Sequence, residues 1–360
     1  MYYALLVVLL ACSVAQLRYH RHVLARAFDW KRPRTPRGTP PVSIIVCYRN
    51  EAARLGDCIA AILRQDYPDF ELLLVDDNST DDGAAVARSF ADPRLRHLTP
   101  GPTRTGKKDA LAYGIRQARH DIFLLTDADC RPLSDQWVRL MTEPISAGVE
   151  LCLGVSPYAG GPSWLHRWQR FEATYTALQY LGYAYRKRPY MGVGRNLAYT
   201  RKFFGRAGGF AAHAHLPGGD DDLLVSAAAR ADRTKRVLDP AGWVHSAPSD
   251  SWATYFRRKI RHQSVGTAYP AGIARQLAGL GLSHGGWYLS ALGLLLMGAF
   301  GTCVLALLFR LWLVAETYLG DRQKLMTGRL PFWQCCLFDA ALAPFYLFLA
   351  VATLLAPRSW

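Results

Sequence analysis

Three short apolar runs in the first 130 residues each break off into carboxylates, and nothing else in the chain constrains its fold as strongly. Residues 42–47 are rich in valine and isoleucine, have strand length and lead into Glu51. Residues 70–75 stop at Asp76-Asp77-Asn78-Ser79-Thr80-Asp81-Asp82-Gly83, and residues 121–126 stop at Asp127-Ala128-Asp129. Between them, residues 51–64 and 107–119 carry apolar residues at helical spacing, residues 84–90 read as a short helix, and residues 95–98 as a fourth strand. Strands that alternate with helices predict an α/β domain with a mostly parallel sheet and right-handed crossovers. Such sheets bind ligands at the carboxyl ends of their strands. Here the carboxylates gather at those ends.

The residues after the first strand exclude two common chemistries. No Gly-x-Gly-x-x-Gly and no Walker loop is present, so neither a dinucleotide hydride enzyme nor an ordinary P-loop ATPase fits. A nucleotide would have to be held by carboxylates and a metal instead. The net charge of +15 invites nucleic acid as a partner, but no nucleic-acid motif accompanies it. The basic residues sit elsewhere: Arg18, Arg21, Arg26, Lys31, Arg32, Arg34 and Arg37 come after an apolar run, and Arg257, Arg258, Lys259 and Arg261 precede an apolar block. Basic residues beside membrane segments mark the cytoplasmic side. The eight cysteines lack C-x-x-C spacing, which argues against a zinc site or disulfide framework and favours a reducing compartment.

The apolar runs lie at both ends. Residues 2–17 carry no charge and lack the positive leader of a signal peptide, so an uncleaved anchor is expected. Residues 285–320 are apolar but for Arg310 and Glu316, and residues 332–357 are apolar but for Asp339. The first block reads either as one long tilted helix or as a tight two-helix hairpin; with Arg322, Lys324 and Arg329 between the blocks, a cytoplasmic loop requires the hairpin, with spans near 287–301 and 302–319. That makes four spans in all.

Each motif has a bland alternative. Two aspartates at a strand end suit Mg²⁺ or Mn²⁺, which take oxygen ligands and bridge to phosphates, yet aspartate is also common in such turns. Asp220-Asp221-Asp222 precedes Leu223-Leu224-Val225, a helix-like start. One carboxylate could accept a substrate proton, while an N-cap and an acidic first turn would account for two of the three. Gly106-Lys107-Lys108 opens a helix, where a lysine can face phosphate or merely solvent. Gly192-Val193-Gly194-Arg195-Asn196-Leu197 is a small-residue turn with an embedded amide.

In their order and spacing over roughly residues 42–262, these segments resemble the family 2 glycosyltransferases, inverting enzymes with the GT-A fold. The matching stretches are Val42-Ser43-Ile44-Ile45-Val46-Cys47-Tyr48-Arg49-Asn50-Glu51, Leu74-Val75-Asp76-Asp77-Asn78-Ser79-Thr80-Asp81, Gly106-Lys107 and Thr126-Asp127-Ala128-Asp129. Further on come Gly194-Arg195-Asn196-Leu197-Ala198-Tyr199, Gly208-Gly209-Phe210 and Gly219-Asp220-Asp221-Asp222-Leu223.

The resemblance implies that Glu51 and Asp76 hold the nucleoside and Lys107 the nucleotide. Asp127 and Asp129 would form the Asp-x-Asp pair, with Asp129 the direct ligand of Mg²⁺ or Mn²⁺. Aligning Asp222-Leu223 with the family's Asp-Leu places the base at Asp220, with Asp221 the choice after a shift of one residue. Processive members carry Gln-x-x-Arg-Trp in an interfacial helix. Arg258, Arg261 and His262 occupy the corresponding places, so the glutamine and the tryptophan are both replaced.

The implied protein is an integral membrane protein of the cell membrane with a cytoplasmic GT-A domain, acting in the cell envelope. Its parts would be an anchor (1–17), a basic linker (18–40), the transferase domain (41–250), interfacial helices (251–284) and C-terminal transmembrane helices (285–357). It would use a nucleoside-diphosphate sugar and a hydroxyl acceptor, lipid-linked or membrane-proximal, in contact with membrane lipids and without nucleic acid. The alternatives are a processive polysaccharide synthase and a non-catalytic membrane scaffold with a transferase-like domain. The altered interfacial motif counts against the first, and the complete set of acidic motifs against the second.

Overall fold

Along the chain, α1 (Tyr2–His22) precedes β1 (Val42–Tyr48), α2 (Ala52–Leu63), β2 (Phe70–Asp76), α3 (Gly83–Arg88), β3 (Leu95–Leu98), α4 (Lys107–Gln117), β4 (Ile122–Leu125), β5 (Cys130–Pro132), α5 (Trp137–Ser146) and β6 (Leu151–Leu153). Next come α6 (Trp164–Tyr185), β7 (Leu197–Thr200), α7 (Arg201–Arg206), α8 (Asp222–Ala228), β8 (Thr234–Arg236) and β9 (Val244–Ser246), and then α9 (Trp252–Gln263), α10 (Ala271–Leu296), α11 (Phe300–Tyr318) and α12 (Phe332–Leu355). This computed structural model describes residues 1–29, 38–103, 106–216, 218–320, 323, 325 and 328–355. The basic residues Lys31, Arg32, Arg34, Arg37, Arg322 and Lys324, and the last two residues of the expected span 332–357, lie outside the described residues. The chain divides into two compact units, one of residues 30–159 and 183–248, the other of residues 1–29, 160–182 and 249–360.

The first unit is built on a seven-stranded sheet in the order β3-β2-β1-β4-β7-β6-β8. Val42, Ile44, Ile45 and Val46 of β1 are buried, as a strand covered on both faces requires. β1 pairs in parallel with β2 and β4, whereas β7 runs antiparallel between β4 and β6. On one face Ile44, Val46, Leu72, Leu74, Leu124 and Ala198 join a core with Leu55, Cys58, Ile59 and Ile62 of α2 and Trp137, Val138 and Met141 of α5. Each large apolar side chain there contributes about 1.5–3 kcal/mol on full burial. On the other face α4 rides close to the sheet, because a Cβ at Gly114 would stand 2.9 Å from Ile45 Cγ2 and 3.0 Å from Val75 Cγ2. The order of the strands puts the switch point between β1 and β4, where the chain changes the side on which it adds strands. β5 and β9 form a separate two-stranded ribbon.

The second unit is helical. α1 lies on α10 closely enough that a Cβ at Gly293 would stand 2.9 Å from Leu5 Cδ1. Gln16 Nε2 donates to Ser283 Oγ at 2.8 Å, and Trp287 Nε1 to Ser13 Oγ at 3.1 Å. Two of the charges that interrupt the C-terminal apolar runs find each other: Arg310 Nε and Nη2 donate to the two oxygens of Asp339 at 2.7 and 2.8 Å, and the Tyr288 hydroxyl donates to Asp339 Oδ2 at 2.7 Å. Among the described residues three helices are long and apolar enough to cross a membrane, Tyr2–Arg26, Phe300–Tyr318 and Phe332–Leu355. The expected four-span arrangement differs from this in one element. α10 starts at Ala271, so the anticipated boundary at 284/285 falls inside it, and the helix breaks at Met297 to Ala299 rather than after Gly301. α10, which carries Arg275, Gln276, Ser283 and His284, is not among the three.

Candidate active site

The register of the sheet assembles the site. Tyr48 pairs with Asp76 at the carboxyl ends of β1 and β2, so their loops lie side by side. They are laced together: Asn50 N–H donates to Ser79 Oγ at 3.2 Å, Thr80 N–H to Asn50 Oδ1 at 2.8 Å, and Ala52 N–H to Asp81 Oδ2 at 2.9 Å. Asp76 Oδ1 accepts Ser79 N–H at 2.8 Å, and burial together with the Asp76 charge pushes the Tyr48 phenol up to about 12. Glu51 caps α2. Burial, then the charge of Asp129, raise its carboxyl above the ordinary range, with Arg54 working the other way.

Lys107 is the hub. Gly106, in the left-handed region at φ 62°, turns the chain into α4 so that Lys107 is its first residue. Lys107 Nζ lies 2.6 Å from Asp127 Oδ1 and 3.2 Å from Asp220 Oδ2. Burial opposes the charge, but Asp127 and Asp220 outweigh it and hold the ammonium well above the ordinary lysine value. With 39% of its side chain still exposed, it can be reached by a ligand.

The three adjacent aspartates have separate surroundings. Asp220 faces Lys107. Asp221 is the N-cap of α8, its Oδ1 accepting Asp222 N–H and its Oδ2 accepting Gly194 N–H, both at 2.7 Å. Burial, then the neighbouring Asp220 and Asp222, push its carboxyl up to about 7. Asp222 is buried in the first turn. The turn that supplies the Gly194 N–H is held by Asn196, whose Nδ2 donates to Val155 O and Gly242 O at 2.9 Å and whose Oδ1 accepts Trp137 Nε1 at 2.9 Å. A Cβ at Gly194 would stand 3.4 Å from Asp221 Oδ2 and 3.6 Å from Lys107 Nζ, so the backbone approaches both closely.

Asp127, Asp129 and Cys130 bring ligand atoms within 4.8 Å of one another. Cys130 Sγ donates to Asp129 Oδ1 at 3.3 Å, and burial, Asp129 and Asp127 drive its thiol well above the ordinary value. A protonated thiol is a poor ligand. The two carboxylates remain, and their oxygens suit a hard divalent cation.

Of the residues expected at the site, Lys107, Asp127 and Asp220 meet in direct contact, while Asp221, Asp129 and Glu51 stand around them through the charges they exert. Arg258, Arg261 and His262 lie on α9, which belongs to the helical unit. There Arg258 Nη2 donates to Gln169 Oε1 at 3.0 Å, and His262 is exposed. Two polar residues escape local sequence reasoning, Arg195 in the turn after Gly192 and Tyr199 on β7. Arg195 packs against Tyr158, and the fully buried Tyr199 hydroxyl lacks a hydrogen-bond partner among the described residues. The only sign of them in the sequence is the Gly-Arg-Asn-Leu-Ala-Tyr run itself.

A sheet of this order with an acidic site at its switch point is the GT-A architecture. The chain is similar over 96% of its length, and over 99% of the other chain, to the mannosyltransferase PcManGT of Pyrobaculum calidifontis, solved with GDP-Man and Mn²⁺, at a TM-score of 0.61 and 20% identity. Residues 43–212 match the family described as glycosyl transferase family 2. An N-acetylglucosaminyltransferase of Sinorhizobium fredii is 32% identical over 128 residues, covering 34% of this chain and 31% of the relative. The glycosyltransferase AglE of Haloferax volcanii is 35% identical over 120 residues, covering 32% of this chain and 39% of the relative. The matched stretches thus span about a third of the length of these relatives.

Proposed function

We propose that the chain is a membrane-anchored inverting glycosyltransferase that moves one sugar from a nucleoside-diphosphate sugar to a hydroxyl acceptor at the membrane. The observation that carries this is Lys107 Nζ bridging Asp127 and Asp220, which joins a candidate donor site to a candidate base. Asp220 takes the proton of the acceptor hydroxyl as its oxygen attacks the anomeric carbon from the face opposite the diphosphate. Lys107 turns its charge to the departing diphosphate. Glu51 and Asp76, on the two laced loops, hold the nucleoside. Asp129 and Asp127 would hold Mn²⁺ or Mg²⁺, which when bound neutralises charge on the diphosphate. The three apolar helices support anchoring in a membrane, and the basic residues beside them support a cytoplasmic orientation in the cell membrane. That anchoring favours a lipid-linked or membrane-proximal acceptor.

Titration of the purified protein with UDP, GDP and their free nucleosides, with Mn²⁺ and in EDTA, tests the reading. One diphosphate should bind preferentially and lose roughly tenfold or more in affinity in EDTA, the scale of a lost metal–phosphate bridge. Equal affinity in EDTA overturns the metal assignment, and no diphosphate binding at all overturns the transferase.

A further inference from the structure

The turn that carries Gly194 also brings a second cation to the carboxylate pair, and the proposed reaction leaves it unused. The Arg195 guanidinium lies 4.6 Å from the centroid of the Tyr158 ring, and the carboxylates whose charge reaches it are Asp127 and Asp129. Its Nη1 is buried without a hydrogen-bond partner among the described residues. A buried guanidinium nitrogen in that state gives up the hydrogen bonds it had in water. Its backbone is nonetheless fixed on both sides, by the Gly194 N–H on Asp221 and by the three side-chain bonds of Asn196. A cation held rigidly, stacked on a ring and left with an unused donor is prepared for an anion that arrives with the substrate. The planar fork of arginine matches phosphate oxygens.

We propose that Arg195 is a phosphate-binding residue of this site, its Nη1 donating to a phosphate oxygen of the donor diphosphate or of a phosphorylated acceptor. This rests on the transferase reading. Lys107 and Arg195 then flank the Asp-x-Asp pair as two cations with different tasks. Lys107 is already engaged by carboxylates, whereas the Nη1 of Arg195 is satisfied by the ligand.

The test compares Arg195→Gln and Arg195→Lys with the natural protein, with melting temperature as the folding control. Isothermal titration in Mn²⁺ uses UDP or GDP against the nucleoside, then a long-chain alkyl phosphate against its alcohol on nucleotide-loaded protein. A donor contact predicts roughly 10- to 100-fold weaker diphosphate binding in Arg195→Gln with nucleoside binding unchanged. An acceptor contact predicts the same loss for the alkyl phosphate alone. Arg195→Lys, which keeps the charge without the fork, should lose less in either case, and it carries the comparison if the glutamine variant does not fold. Unchanged affinity for both phosphates overturns the proposal while leaving the transferase intact. Failure of the natural protein to bind any diphosphate overturns the transferase as well.

Discussion

Exchanging aspartate for asparagine at positions 220 and 221 should produce opposite signatures. Asp220→Asn keeps an oxygen for Lys107, 3.2 Å away, but cannot take a proton. Turnover should fall by about 10²–10⁴, the usual worth of general-base catalysis, or roughly 3–5 kcal/mol of barrier, while diphosphate affinity changes little. Asp221 is different because its carboxyl is raised in the folded protein by burial and by Asp220 and Asp222. A raised acid contributes stability that is fully present below its unfolded value, near 3.8, and is lost as pH rises through the folded one, near 7. Within that window the loss approaches about 1.4 kcal/mol per pH unit. Asparagine is neutral throughout, so Asp221→Asn should melt close to the natural protein at about pH 4 and several degrees above it at about pH 8, with turnover within roughly tenfold. Melting curves across that range and nucleotide release from the donor are the assays. If Asp221→Asn loses the large factor in turnover and Asp220→Asn does not, the base is Asp221. If Asp221→Asn melts well below the natural protein at the alkaline end, the ionised carboxylate is needed to hold the Gly194 turn, and the linkage reasoning fails.

Two further predictions concern stability. Arg310→Met leaves the buried Asp339 without its cationic partner and should cost about 3–5 kcal/mol, whereas Arg310→Met with Asp339→Leu should recover most of it; additive losses in detergent melting would show that the pair is not coupled. Burial works against ionisation of Glu71, but the Arg119 N–H, the Ser43 hydroxyl and Arg96 outweigh it and lower its carboxyl. That stability is present above about 4.5 and lost as pH falls through the folded value, so acid unfolding below that pH should flatten in Glu71→Gln.

The first half of the sheet was legible because strands buried on both faces leave an unbroken apolar signal, and those strands end on the carboxylates of the site. The rest was not. β5, β6, β8 and β9 have three residues each, and β8 is Thr-Lys-Arg, with no periodicity to detect. The acidic triplet could be read as base or as cap, and its members divide between two surroundings, since Asp221 caps α8 and Asp220 faces the lysine. What separates them is the Gly194 N–H, 27 residues upstream and invisible to local pattern. Arg195 was hidden for the same reason, because Tyr158, Asp127 and Asp129 reach it from distant parts of the chain. α10 was misplaced because its polar first half reads as interfacial, although Gln16 and Arg310 meet its serine and histidine from other helices.

The contact of α1 with α10 has a consequence for biosynthesis. Gln16 and Ser283, which hold the two helices together, are 267 residues apart. At synthesis rates of roughly 5–20 residues per second, α1 waits on the order of tens of seconds for its partner, and the whole sheet is made in the interval. During that time the glycine-bearing face of α10 does not exist, and Ser13, Gln16 and Leu5 lack the helix they pack against. The sheet therefore has time to fold before the helical unit can close.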